Sequence, residues 1–121
     1  MVGNEFHNTV AARTAQEAFA VAVAEAKLAF LKFLERFGDN DEDENVPDVT
    51  YAGNLAAKEA FGLGMELPLP DESALDCVNR CMSSVGHWAM EFDNPAACVD
   101  GGADPKRPGY RTFHFFGLAR G

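Results

Sequence analysis

Residues 8–37 contain neither proline nor glycine, a breaker-free run that takes up a quarter of the 121-residue chain. The run is rich in alanine, which loses no side-chain entropy in a helix. Asn8 or Thr9 can cap its start, and Gly38 is placed to end it in a left-handed conformation. Thr14-Ala15-Gln16-Glu17 also has the form of a capping box, which would start the regular helix later. Phe19, Val23, Ala26, Phe30, Phe33 and Phe37 follow a 4-3-4-3-4 spacing. At about 100° per residue they share one stripe roughly 80° wide, the face expected to enter the core. Ala11, Ala15, Ala22 and Ala29 border that stripe with small side chains.

Thirty helical residues would run about 45 Å, whereas a compact domain of this length is about 35 Å across. The helix must therefore bend or meet another chain. Val21 and Leu28 lie in the arc otherwise held by Glu17, Glu25, Lys32, Glu35 and Arg36. Two apolar residues on one line beside a charged rim mark a contact surface, for a second copy of the chain or for another protein.

Beyond the helix, Asp39-Asn40-Asp41-Glu42-Asp43-Glu44-Asn45 is a solvated acidic loop (38–47). A shorter helix is expected at about 48–61, begun by Pro47 and Asp48 and ended by Gly62. Leu67-Pro68-Leu69-Pro70 is a stiff connector. A third helix is expected at about 71–93, capped by Asp71, with Leu75, Val78, Met82, Val85, Ala89 and Phe92 as its apolar stripe. Asn94-Pro95 stops it. The tail, 94–121, is rich in glycine and proline before Tyr110-Arg111-Thr112-Phe113-His114-Phe115-Phe116. That segment either pairs with a short strand near Ala97 to Val99 or lies extended over the helices. The predicted fold is a single, mainly α domain: a three-helix bundle with a long N-terminal helix and an irregular or short-β C-terminal region.

Several constellations carry chemistry only in part. Asp39, Asp41 and Asp43 have the spacing of a calcium loop, but Glu44 stands where the sharp turn wants glycine. Thr50 stands where a bidentate glutamate should close the site. Cys77 and Cys81, at i and i+4, form half of a zinc site that would need Cys98, His87, His114 or His7 to complete it. His87 falls about 120° around a straight helix from Cys81, and buried cysteine commonly packs as a small hydrophobe. Ser83, His87 and Glu91 stack at i, i+4 and i+8 with the residue types of a hydrolytic triad, but without an oxyanion hole or a sheltered cleft. The tail interleaves Lys106, Arg107, Arg111 and Arg120 with aromatics, a pattern that can hold single-stranded nucleic acid. The rest of the chain sets six Lys/Arg against nineteen Asp/Glu, so the tail is expected to neutralise that body instead.

Charge then guides the functional expectation. A net charge of −9 disfavours direct binding to nucleic acid or anionic membrane and favours a basic protein surface. Three cysteines make no disulfide framework, and Met1-Val2-Gly3-Asn4-Glu5 lacks the pattern of a secretory signal, so a cytoplasmic location is expected. The reading is a non-catalytic acidic interaction module, not an enzyme and without a cofactor. It would be a small inhibitor, in part a nucleic-acid mimic, covering a basic surface of a larger protein. Asp39, Asp41, Glu42, Asp43, Glu44, Asp48, Val21 and Leu28 are its expected contact residues. A zinc module built on Cys77, Cys81 and Cys98 is the first alternative, and an enzyme using Ser83, His87 and Glu91 the second.

Overall fold

In the computed structural model, residues 3–37 and 54–120 are described. Four strands, β1 (Gly3–Ala12), β2 (Leu63–Met65), β3 (Ala96–Ala103) and β4 (Arg111–Arg120), form one mixed sheet in the order β1-β4-β3-β2. Helix α1 (Ala15–Phe37) follows β1, and α2 (Ala74–Met82) connects the parallel strands β2 and β3. β4 runs antiparallel to both of its neighbours. Among the described residues the fold is thus α+β with two α-helices, and neither a mainly α three-helix arrangement nor a helical bundle.

The correction begins at the N-terminus. Residues 8–12 belong to a strand, because Phe6, Val10 and Ala12 alternate onto one buried face and all ten β1 residues pair with β4. Alanine propensity is a weak preference, and ten residues of ladder override it. The helix starts where the capping box stands. The Thr14 hydroxyl accepts from the Glu17 amide at 3.1 Å, and the Glu17 carboxylate accepts from the Arg13 amide at 3.3 Å. The expected helix at 71–93 also shortens. Ser73, not Asp71, caps α2 by accepting from the Asp76 amide, and the helix stops at Met82. Ser83-Ser84-Val85-Gly86 then turns the chain, with Gly86 at φ +93°, which favours glycine. The predicted stripe is therefore cut, leaving Leu75 exposed and Val85 fully exposed. Of the expected helix at 48–61, the described part holds a single 3₁₀ turn, Leu55–Lys58.

The sheet separates two cores. Phe6, Val10, Cys98, Phe113 and Phe115 face α1, where Ala18, Phe19, Ala22, Val23 and Ala26 pack on them. On the other face Ala97, Val99 and Phe116 meet Cys77, Val78 and Cys81 of α2 and Ala89 of a second 3₁₀ turn, Trp88–Met90. Alternation along β3 and β4 sends neighbouring residues to opposite cores, which is what strand geometry requires. The tail does pair as a strand beside Ala97 to Val99 and fills both cores with its phenylalanines. Two of its cations pair with acids of the body: Arg111 with Asp100 at 2.9 Å and Arg120 with Asp93 at 3.0 Å.

Lys58 is fully buried, and its Nζ donates to the carbonyls of Glu91, Phe92 and Asn94 at 2.9, 2.8 and 2.8 Å. All three ammonium protons are thereby used. One side chain ties the first 3₁₀ turn to the loop that leads into β3. Burial pushes its pKa down, while the nearby Asp93 charge pulls it up. On β4, His114 is buried, with Thr9 Oγ1 3.0 Å from its Nδ1 and the His7 ring 5.6 Å away.

Candidate functional site

Two features among the described residues are candidate sites. The first is the outer side of α1. Its 23 residues run about 35 Å, but only the first half lies on the sheet, and none of residues 27–36 is buried. Val21, Leu28 and Leu31 are 40%, 54% and 44% exposed. With Ala24, also exposed, they are spaced 3-4-3 and fall on the side of the helix turned away from Phe19, Val23 and Ala26. Val21 and Leu28 are thus surface residues of one stripe, and Leu31 extends it by almost a turn. The acidic residues Asp39, Asp41, Glu42, Asp43, Glu44 and Asp48, and with them the calcium-like spacing, lie outside the described residues.

The second feature is a polar cluster at the edge of the α2 core. Glu66 follows directly on β2, and its amide donates to the Cys98 carbonyl at 2.9 Å, which fixes the residue beside the sheet. Cys77 and Cys81 are fully buried on α2, in the core that this edge closes. The turn after Met82 returns His87 to the same place, stacked on Trp88 with ring centroids 5.3 Å apart. One carboxylate oxygen of Glu66, Cys81 Sγ and one ring nitrogen of His87 all lie within 4.8 Å of one another. Arg80, gripped by Glu72 at 2.8 and 3.0 Å, places its Nη2 3.7 Å from Cys77 Sγ.

Hydrogen bonding fixes the imidazole. The Ala89 amide donates to His87 Nδ1 at 3.0 Å, so the ring proton sits on Nε2, which donates to Glu66 Oε1 at 2.9 Å. Burial pushes the Cys81 thiol up to about 11, with Cys77 and Glu66 adding to the effect, and raises the Cys77 thiol as well. These are resting thiols, not preformed nucleophiles. The Arg80 guanidinium holds the Glu72 carboxyl down at about 2, chiefly by direct hydrogen bonding.

The expected partners divide. His87, placed by helical geometry on the wrong side of Cys81, comes back to it because the helix ends first. Glu66 carried no sequence signal, since it is remote along the chain from both cysteines. Cys98 lies in the opposite core, facing α1, and burial holds its thiol near 12. His114 sits with Thr9 and His7 elsewhere on the sheet. The Ser83–His87–Glu91 column does not form. Ser83 closes α2, His87 binds Glu66, and Glu91 accepts from Asn94 Nδ2 at 2.8 Å. No described helix is long and apolar enough to cross a membrane. Comparison with protein families, curated proteins and solved structures finds no match.

Proposed function

We propose that the chain is a non-catalytic, acidic protein-interaction module that binds a larger protein through the outer stripe of α1. The observation that carries this is the exposure of Val21, Leu28 and Leu31 together on the side of the helix that the sheet does not use. A stripe of this spacing fits a groove or a second helix, and apolar contacts at its centre would supply most of the affinity. The net charge of −9 adds long-range attraction to a basic partner and speeds encounter. A basic surface that ordinarily holds nucleic acid is the natural target, which makes the module an inhibitor acting in the cytoplasm. A second reading, pairing with another copy, is favoured by the same stripe, because 3-4-3 spacing is that of a helix–helix seam.

The Val21→Glu/Leu28→Glu variant tests the proposal. Its two added acids would strengthen attraction that was electrostatic alone, so a loss of binding isolates the apolar contact. Wild type should retain a partner from host lysate, or sediment as a dimer, and the variant should do neither. Retention should weaken sharply at high salt. A partner held equally by both proteins would refute the stripe, and one held equally at high salt would refute the charge argument.

A further inference from the structure

We propose that Glu66, Cys81 and His87 form a binding site for a divalent cation of the zinc class, held by one carboxylate oxygen, one thiolate and the Nε2 of the imidazole. One oxygen of Glu66, Cys81 Sγ and one ring nitrogen of His87 all lie within 4.8 Å of one another. Nε2 is the nitrogen turned toward Glu66, 2.9 Å from Oε1. A tetrahedral zinc ion bonds sulfur at about 2.3 Å and nitrogen or oxygen at about 2 Å, which spaces its ligand atoms roughly 3.3–3.6 Å apart. The nitrogen and oxygen part by about half an ångström and the sulfur closes by about one, movements that side-chain rotation covers. Sequence spacing pointed to Cys77 and Cys81 as half a site. The fold keeps Cys81 alone and adds a remote glutamate and the histidine that a longer helix would have turned away.

Three elements hold the donors in place. Cys81 stands on α2, and the Glu66 amide is tied to the Cys98 carbonyl at 2.9 Å. His87 accepts from the Met90 amide through its carbonyl at 2.9 Å, and its ring stacks on Trp88. Trp88 in turn lies over Gly64 of β2, where a Cβ would come within 2.7 Å of the indole Cη2. The missing side chain lets the Trp88–His87 stack settle against the same strand that delivers Glu66. Cys77, one turn earlier on α2, stands outside the set, its sulfur accepting from Arg80 Nη2 at 3.7 Å.

The donor set selects the ion. A thiolate and an imidazole exclude magnesium and calcium, which take oxygen ligands, and one sulfur, one nitrogen and one oxygen suit zinc. Two negative ligands balance the ion's charge, so the site stays neutral at the edge of an apolar core. The side chains of Glu66 and His87 are 24% and 12% exposed, and the ion, with a water as fourth ligand, enters from that side. The ion takes the place of the proton that Nε2 donates to Oε1. Cys81 releases its thiol proton to solvent. The imidazole stays neutral by carrying its proton on Nδ1, so the Ala89 amide gives up its acceptor there. One proton therefore leaves for each ion bound, as one metal–sulfur, one metal–nitrogen and one metal–oxygen bond form. The lost amide contact lowers affinity, while the turn keeps its Met90 bond.

The test titrates the reduced, purified full-length chain with Co²⁺ and, separately, with Zn²⁺. Co²⁺ should give the visible bands of tetrahedral coordination and a charge-transfer band of single-thiolate intensity. Cys81→Ser should lose that band, whereas Cys77→Ser and Cys98→Ala should keep it. Glu66→Gln sits at a partly exposed position and still offers an oxygen to the imidazole proton, so the fold tolerates it. Losing an outer partner of a metal ligand costs about 10–100-fold in affinity, so losing this ligand should cost about 100-fold or more. Nitrogen NMR of the His87 ring should show the proton on Nε2 in the free chain and on Nδ1 at saturating Zn²⁺. Absence of a charge-transfer band in wild type would overturn the site. A band of two-thiolate intensity would make Cys77 a ligand and overturn this donor set. Wild-type affinity in Glu66→Gln, or a His87 ring unchanged by saturating Zn²⁺, would overturn it as well.

Discussion

Replacing Lys58 by methionine tests whether one buried ammonium holds the middle of the fold together. The change keeps the aliphatic stem and removes only the group that donates to the carbonyls of Glu91, Phe92 and Asn94. A hydrogen bond from a charged donor contributes about 1.5–3 kcal/mol net, so three such bonds set a gross figure of about 4.5–9 kcal/mol. Burying the ammonium costs several kcal/mol of lost hydration, and the variant is spared that cost. The orphaned carbonyls belong to an exposed residue, Glu91, and two half-buried ones, Phe92 and Asn94, so water can reach them in part. The expected loss is therefore about 3 kcal/mol, toward the low end for breaking a buried charged arrangement. For a domain of this size that lowers Tm by roughly 10–15 °C. Urea and thermal unfolding of Lys58→Met and wild type, with the urea slope unchanged, measure it. A methionine variant within about 0.5 kcal/mol of wild type would refute the reasoning, because the carbonyls would then be equally content without their donor.

Thr14→Ala should destabilise the chain by about 1 kcal/mol in urea unfolding, since the hydroxyl satisfies the Glu17 amide at the start of α1. No measurable change would place the helix start elsewhere. Burial holds His7 and His114 below the ordinary 6.5, and the neighbouring His7 charge depresses His114 further. Each group then binds fewer protons folded than unfolded. Stability should be unaffected by these histidines above that value and fall as the pH drops below it, levelling once the folded groups also protonate. His114→Gln should flatten the decline between about pH 7 and pH 5. An undiminished slope in pH-dependent urea melts would assign the effect to other groups.

The sequence was most legible where interactions are local. Of the stripe Phe19, Val23, Ala26, Phe30, Phe33 and Phe37, the first three enter the core while Phe30 and Phe33 are not buried, and the Thr14 box marks the helix's true start. Val21 and Leu28 were placed on the surface by the same helical arithmetic. What failed was anything decided across the chain. Asn8–Ala12 has no local feature that outweighs its alanines, and only the distant β4 makes it a strand. The third helix was extended through Ser83–Gly86 because apolar spacing happened to continue past a turn that the serines and Gly86 impose. That one error displaced His87 and hid the Glu66–Cys81–His87 cluster. Glu66 itself could not be found, since its neighbours are set by β2 lying parallel to β3.

The order of the sheet also governs how the molecule can be assembled. β4 is the last of the four strands in the chain, yet it lies between β1 and β3. Gly3 must wait for Arg120, and Ala12 for Arg111, before the first strand has a partner. Synthesis therefore exposes Phe6, Val10 and the core face of α1 long before their cover exists. Contacts so remote along the chain form slowly, and the waiting segments are open to wrong partners. The sheet can close only once residues 111–120 have been made and are free to enter it. A ribosome stalled upstream of them would hold an adhesive half-product.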